Sequence, residues 1–149
     1  MKGLTRFCVA TLFLVAGCGL FTGNDDEEAR LRAAEVRWTR ASVQDYQIVV
    51  QYLCFCGYTR PVRLTVRSGN VVSRVDAETG EAVPSYATHI ADVAGLFQLI
   101  RDAIDDDAHI LEASYDGNFG YPKFVNIDYV KNAVDDELQI RTSEFQPLR

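Results

Sequence analysis

Apolar residues recur with two different spacings along the chain, and these spacings predict two helices, each followed by three strands. Between about Asp25 and Ala41 they recur every three or four positions, which is typical of a helix with one buried side. From Tyr46 onwards they occupy every second position, which is typical of a strand with one buried face. The six predicted strands cover residues 46–56, 62–67, 71–76, 111–115, 125–129 and 138–145.

The second helix has the clearest apolar stripe in the chain. Its members fall at helical spacing on one side and are Ile90, Val93, Phe97, Ile100 and Ile104. We predict Thr88 as the N-cap of this helix, because a hydroxyl there can accept from the free N–H groups of the first turn. At the start of the first helix, Asn24 followed three residues later by Glu27 predicts a capping box.

These elements predict an α+β fold with the order α-β-β-β-α-β-β-β. Two helices with one apolar stripe each bury both stripes when they pack on one face of an antiparallel sheet. The chain has 149 residues, of which 48% are apolar and 24% charged, and this fits one folded domain. We assign that domain to residues 25–149.

The first residues have the pattern of an export signal. Two bases precede an apolar run from Phe7 to Val15 that contains one polar residue. Nine helical residues span about 13 Å, which is much less than a hydrocarbon core of about 30 Å, so this run is too short for a stable membrane anchor. It fits the hydrophobic region of a secretory signal peptide.

The end of this signal resembles the lipobox of bacterial lipoproteins, with Ala16 and Gly17 before Cys18. The resemblance implies a signal peptide over residues 1–17, an acylated Cys18 and a tether over residues 18–24. Several acyl chains would hold the protein durably to a lipid bilayer, with the domain facing away from the cytoplasm. Gly19 favours the outer membrane in a cell with two membranes. The alternatives are a cleaved signal without lipid and an internal start site.

The charge balance argues against nucleic acid as a partner. Fifteen Lys and Arg residues against 21 Asp and Glu residues give a formal net charge of −6. A phosphate backbone would repel such a protein. The expected partners are the bilayer and an envelope protein, and no pattern in the chain predicts a cofactor.

Cys54 and Cys56 are the two cysteines that remain after the leader is removed and Cys18 is acylated. On a flat strand their Cβ atoms lie too far apart for a disulfide, which needs about 3.8 Å, so a bond requires a kink that Gly57 permits. Two interpretations stay open. The bond is a structural staple, or it is a reducible disulfide that takes part in thiol exchange.

The acidic residues provide two further candidate chemistries. Glu112 and Asp116 are candidates for a carboxylate pair in a hydrolase. Asp128 and residues 135–137 supply oxygen ligands of the kind that Ca²⁺ prefers, but their spacing does not fit an EF-hand loop, and we predict no metal site.

Three aromatic residues in predicted loops form a candidate partner-binding surface, since exposed aromatics are enriched at interfaces. They are Tyr58, Phe119 and Tyr121. The sequence therefore predicts a non-catalytic binding or structural module. The alternative is a thiol-active or hydrolytic envelope enzyme that uses Cys54 and Cys56 or the carboxylate pair.

As a set, several short motifs resemble an uncharacterised family of bacterial lipoproteins, domain-of-unknown-function family 6174. The resemblance covers nearly the whole domain after the tether and depends on the order of the motifs. It implies the location and the fold, and it implies no activity. The residues that carry it are Trp38, Tyr46, Cys54-Phe55-Cys56, Val62, Leu64, Val66, Gly69, Phe97, Tyr115-Asp116, Gly120-Tyr121-Pro122, Asp128 and Asp135-Asp136-Glu137.

Overall fold

A computed structural model describes residues 23–149 and contains two α-helices and one six-stranded antiparallel sheet. The helices are α1 (Gly23–Ala41) and α2 (Val93–Asp105), and a 3-10 turn covers Ser85–Ala87. The strands are β1 (Tyr46–Leu53), β2 (Val62–Arg67), β3 (Asn70–Asp76), β4 (Ile110–Tyr115), β5 (Pro122–Asp128) and β6 (Glu137–Pro147). This order confirms the predicted α+β fold. The predicted signal peptide (1–17) and Cys18 lie outside the described residues.

The strands lie in the order β3-β2-β1-β6-β5-β4, and every neighbouring pair is antiparallel. The pairing of β1 with β6 joins the first three-stranded unit to the second. β1 ends beside the start of β6, where Leu53 is opposite Gln139. We call this end of the sheet the Cys54 end, and it also holds the β5–β6 loop, the end of β3 and the start of β4. The opposite end holds the β4–β5 hairpin, and we call it the Gly120 end.

Both helices pack on the same face of the sheet and form a single apolar core with it. The core contains side chains from both helices and from five of the strands: Leu31, Ala34, Leu96, Ile100, Ile48, Val50, Leu64, Ala113, Val125 and Ile140. The opposite face is mainly polar, as is usual for an antiparallel sheet that is covered on one side. On that face Gln47 donates to Thr65, and Arg63 pairs with Glu144.

The start of α2 differs from the prediction. The helix begins at Val93, and its N-cap is Asp92, whose carboxylate accepts from the Gly95 N–H at 3.0 Å. The predicted cap, Thr88, instead donates its hydroxyl to the Ser85 carbonyl at 2.7 Å and closes the 3-10 turn. The apolar stripe extended the prediction too far, because Ile90 is fully buried although it lies before the helix.

The predicted capping box at the start of α1 is also wrong. The helix begins at Gly23, and Glu27 is 2% exposed inside it. Its carboxylate accepts from the Tyr115 hydroxyl at 3.0 Å and pairs with Arg30 at 3.3 Å. Arg30 in turn donates to the Ala113 carbonyl on the edge strand β4. Glu27 and Arg30 therefore attach α1 to the edge of the sheet.

The Gly120 end is closed by an aromatic cluster. Phe145 lies at its centre, with the rings of Trp38, Tyr46, Phe119 and Tyr121 at 4.5 to 5.8 Å from it. This cluster connects α1, β1, β6 and the β4–β5 hairpin.

Candidate functional site

The loop after β1 is bounded by a disulfide between Cys54 and Cys56, whose Cα atoms are 5.1 Å apart. The strand ends at Leu53, three residues before the predicted end, and the chain bends over the next four residues. Gly57 follows with φ +80°, a conformation that favours glycine. The early end of the strand lets the two sulfur atoms meet, because the cysteines do not lie on a flat strand.

Phe55 lies between the two bonded cysteines and is 85% exposed, the largest value among the exposed large hydrophobic residues of the described chain. Both cysteines are half-buried and pack against the core. The covalent ring therefore holds the aromatic side chain in solvent while its own sulfur atoms face the domain.

Asp76 fixes the segment that follows the disulfide. It is 4% exposed at the end of β3 and accepts hydrogen bonds from the Tyr58 hydroxyl at 3.1 Å and from Arg60 Nε at 2.8 Å. It also accepts from the backbone N–H groups of Glu78 at 2.9 Å and Thr79 at 3.0 Å. One carboxylate thus joins the Cys54 loop to the turn after β3.

These contacts determine the charge states of Asp76, Arg60 and Tyr58. The Thr79 N–H, together with the Glu78 N–H, the Tyr58 hydroxyl and the Arg60 charge, lowers the pKa of Asp76 below its usual 3.8 and outweighs the opposing effect of burial. Burial and the neighbouring Asp76 carboxylate raise the pKa of Tyr58. At neutral pH Asp76 is therefore ionised and Arg60 is charged. Tyr58 is neutral, and its hydroxyl donates a hydrogen bond to Asp76.

The structure does not bring the three predicted interface aromatics onto one surface. Tyr58 is only 9% exposed and lies at the Cys54 end, because its hydroxyl is bonded to Asp76. Phe119 and Tyr121 lie at the Gly120 end, where both rings pack on Phe145.

The exposed apolar residues that the sequence analysis missed lie at the Cys54 end. Besides Phe55, these are Val130, which is 59% exposed, and Val134, which is 82% exposed, both in the β5–β6 loop. One sequence signal was available for them. Val130 and Val134 lie in residues 128–137, a segment rich in acidic residues where no alternating pattern directs a side chain into the core, and Phe55 falls on the polar side of the alternation in residues 46–56.

The two members of the candidate carboxylate pair, Glu112 and Asp116, have different surroundings. Asp116 accepts from the N–H groups of Asn118 at 2.9 Å and Phe119 at 2.7 Å, so its carboxylate holds the β4–β5 turn. Glu112 lies in β4, exposed and opposite Asn126. Over residues 23–149, His, Cys, Asp and Glu side chains form no group of three that would suit a metal ion.

The fold and the site define a two-layer α+β domain with a disulfide-bounded loop at one end of its sheet. The chain belongs to DUF6174, a family of unknown function whose sequence model matches residues 30–147. No curated protein and no solved structure matches the chain. Neither helix of the described part combines the length and the apolar character needed to cross a membrane.

Proposed function

We propose that this protein is a bacterial lipoprotein of the cell envelope that acts as a non-catalytic binding module. In this proposal Cys18 is acylated after removal of residues 1–17 and holds the domain to the outer side of a membrane, which is the outer membrane where the cell has two. The charged start, the short apolar run and the small residues before Cys18 support the anchor.

The observation that supports a binding role is the exposure of Phe55. When a partner buries an aromatic side chain that is 85% exposed, the burial contributes about 2–3 kcal/mol to the free energy of binding. The flanking disulfide restricts the loop before binding, so less conformational entropy is lost when a complex forms. A rigid, exposed aromatic residue of this kind is typical of an interface anchor.

The anchor and the domain lie close together along the chain. Five residue steps separate Cys18 from Gly23, where α1 begins, and such a segment spans at most about 18 Å. The domain would therefore stay near the membrane surface and meet its partner there.

The second candidate function is thiol–disulfide exchange at Cys54 and Cys56. It is favoured by one observation, the partial exposure of both bonded cysteines. In this reaction an external dithiol reduces the bond, so that both cysteines become thiols and the external pair becomes a disulfide. A reduction potential far below that of the compartment would exclude the exchange, and a potential close to it would support the exchange over the binding module.

The anchor is tested by comparing Cys18→Ala with Cys8→Ala in cell fractionation and intact-mass measurement. Cys8 lies in the proposed leader and serves as the matched control. We expect the Cys8→Ala protein to remain in the membrane fraction and to carry acyl mass on Cys18. The Cys18→Ala protein should lose that mass and leave the acylated membrane pool. An unmodified or uncut chain in the unsubstituted protein would refute the anchor.

A further inference from the structure

The Cys54 end combines exposed apolar side chains with acidic residues in the surrounding loops and strand ends, which we call the carboxylate ring. Phe55 lies in the loop that follows β1, and Val130 and Val134 lie in the loop that precedes the neighbouring strand β6, where Leu53 is opposite Gln139. These three residues are between 59% and 85% exposed. We call them the apolar tip.

The acidic residues around the apolar tip lie at the strand ends and in the connecting loops of the same end. They are Glu78, Glu81, Asp106, Asp107, Asp128, Asp135, Asp136 and Glu137. The basic residues of these loops are Arg60 and Lys131. Arg60 is already paired with Asp76 and Glu78, so its charge is compensated within the domain.

We infer that the apolar tip and its carboxylate ring are a docking surface for a cationic protein segment that carries apolar side chains. Large exposed apolar side chains rimmed by polar residues mark interaction sites. The carboxylate ring selects the partner, because complementary charge accelerates encounter with a basic segment and disfavours acidic ones. This inference rests on the binding role proposed above and names the class of partner.

Charge also distinguishes this partner from two other occupants. An anionic bilayer surface attracts basic segments and repels a ring of carboxylates. A second copy of this chain would bring the same carboxylates against one another, and like charges in an interface are unfavourable. A basic, partly apolar segment is the occupant for which both the tip and the ring contribute favourably.

The inference is tested with the full chain purified in detergent and a synthetic 18-residue amphipathic helix with leucine on one side and lysine on the other. Fluorescence anisotropy of the labelled peptide measures the Kd. Two control peptides replace either leucine by serine or lysine by glutamate. Phosphatidylglycerol vesicles, added after removal of the detergent, and a labelled second copy of the protein test the other two occupants, and Phe55→Ser separates binding through the tip from binding through the acyl chains.

The substitutions separate the tip from the rest of the surface. We expect Phe55→Ser to weaken binding of the leucine–lysine peptide at least about tenfold, since it removes the largest apolar contact and leaves both cysteines in place. Val72→Ser is the matched control, because Val72 is 60% exposed in β3 near the Gly120 end. It should change the Kd less than about twofold.

The charge is tested in the same way. The pair Asp135→Asn and Glu137→Gln should weaken binding and reduce its dependence on salt. The pair Asp45→Asn and Glu144→Gln changes the charge equally on the side of the sheet nearer the Gly120 end and should leave the Kd nearly unchanged. Equal affinity of the two control peptides and the leucine–lysine peptide would overturn the inference.

Absence of binding to that peptide, unchanged peptide binding by Phe55→Ser, or binding to vesicles or to a second copy that Phe55→Ser weakens more than it weakens peptide binding would overturn it as well. The result is independent of the anchor experiment, because the assay runs in detergent whether or not Cys18 is acylated. If Cys18 of the unsubstituted protein is not acylated but the peptide still binds, only the membrane placement is refuted. A retained anchor without peptide binding would refute the docking surface alone.

Discussion

The Tyr115 hydroxyl donates a 3.0 Å hydrogen bond to the carboxylate of Glu27, a residue that is 2% exposed near the start of α1. Burial, followed by the charge of Glu27, raises the pKa of Tyr115, so the phenol keeps the proton that it donates. The pair joins the first helix to the edge strand β4, 88 residues later in the chain. A carboxylate that a helical pattern assigns to the surface is therefore a tertiary contact.

Removing the phenol should destabilise the domain. In Tyr115→Phe, the buried Glu27 carboxylate loses one donor and retains Arg30, and we expect a loss of about 1–3 kcal/mol in the free energy of unfolding. Urea unfolding measures this loss. Arg32→Gln is the control, because it removes an exposed ion pair with Glu28 and should cost about 0.5 kcal/mol or less. Equal effects of the two substitutions would contradict the structural role of Glu27.

Asp76 should make stability sensitive to acid. Its folded pKa lies below the usual 3.8, so the ionised form stabilises the fold at neutral pH, and this contribution is lost as the pH falls below 3.8. We expect Asp76→Asn to unfold at a lower urea concentration than the unsubstituted protein near pH 7, with a smaller difference near pH 3. Glu78→Gln removes only the exposed partner of Arg60 and should change the midpoint little. A difference that does not depend on pH would contradict this account.

Gly120 should not tolerate a side chain. Its φ is +90°, and a Cβ there would overlap the Ala34 carbonyl oxygen of α1 and lie 2.9 Å from the Arg37 Cβ. We expect Gly120→Ala to cost about 2–4 kcal/mol, because backbone strain and displacement of α1 combine. Gly80→Ala is the matched control, with φ +76° but open space around the new Cβ, and should cost about 1 kcal/mol. Thermal or urea unfolding that gives the same loss for both would refute the close approach.

The assignment of the α2 cap gives a fourth prediction. Asp92→Ala removes the acceptor of the Gly95 N–H and should cost about 1 kcal/mol of unfolding free energy. Thr88→Ala removes only an exposed hydrogen bond to Ser85 and should cost less. If urea unfolding shows a larger loss of unfolding free energy for Thr88→Ala than for Asp92→Ala, Thr88 is the N-cap, as the sequence predicted.

The order of the elements was predictable because each element has one buried side. The spacing of the buried residues along the chain indicates whether the element is a helix or a strand. In β1, Tyr46, Ile48, Val50 and Tyr52 alternate and all lie in the core. The helix starts were less predictable. Ile90 is buried by tertiary packing before α2 begins, so the apolar stripe extends beyond the helical backbone.

The candidate site was predictable only in part. Two cysteines separated by one residue marked the loop, and the structure places a disulfide there. The exposure of Phe55 was not predicted, although the alternating run places it on the same face as Gln47 and Gln51 and opposite the two cysteines. Tyr58 was predicted to be exposed but is buried. Its burial depends on Asp76, a partner 18 residues away that the local sequence does not reveal.

The bond from Arg30 to the Ala113 carbonyl has a consequence for neighbouring molecules. An edge strand with free backbone groups is a template on which another chain can add a strand. On β4 the guanidinium of α1 occupies one of those acceptors and places a charged side chain along the border of the sheet. A second copy of the chain is thereby hindered from adding a strand at this border and joining the two sheets.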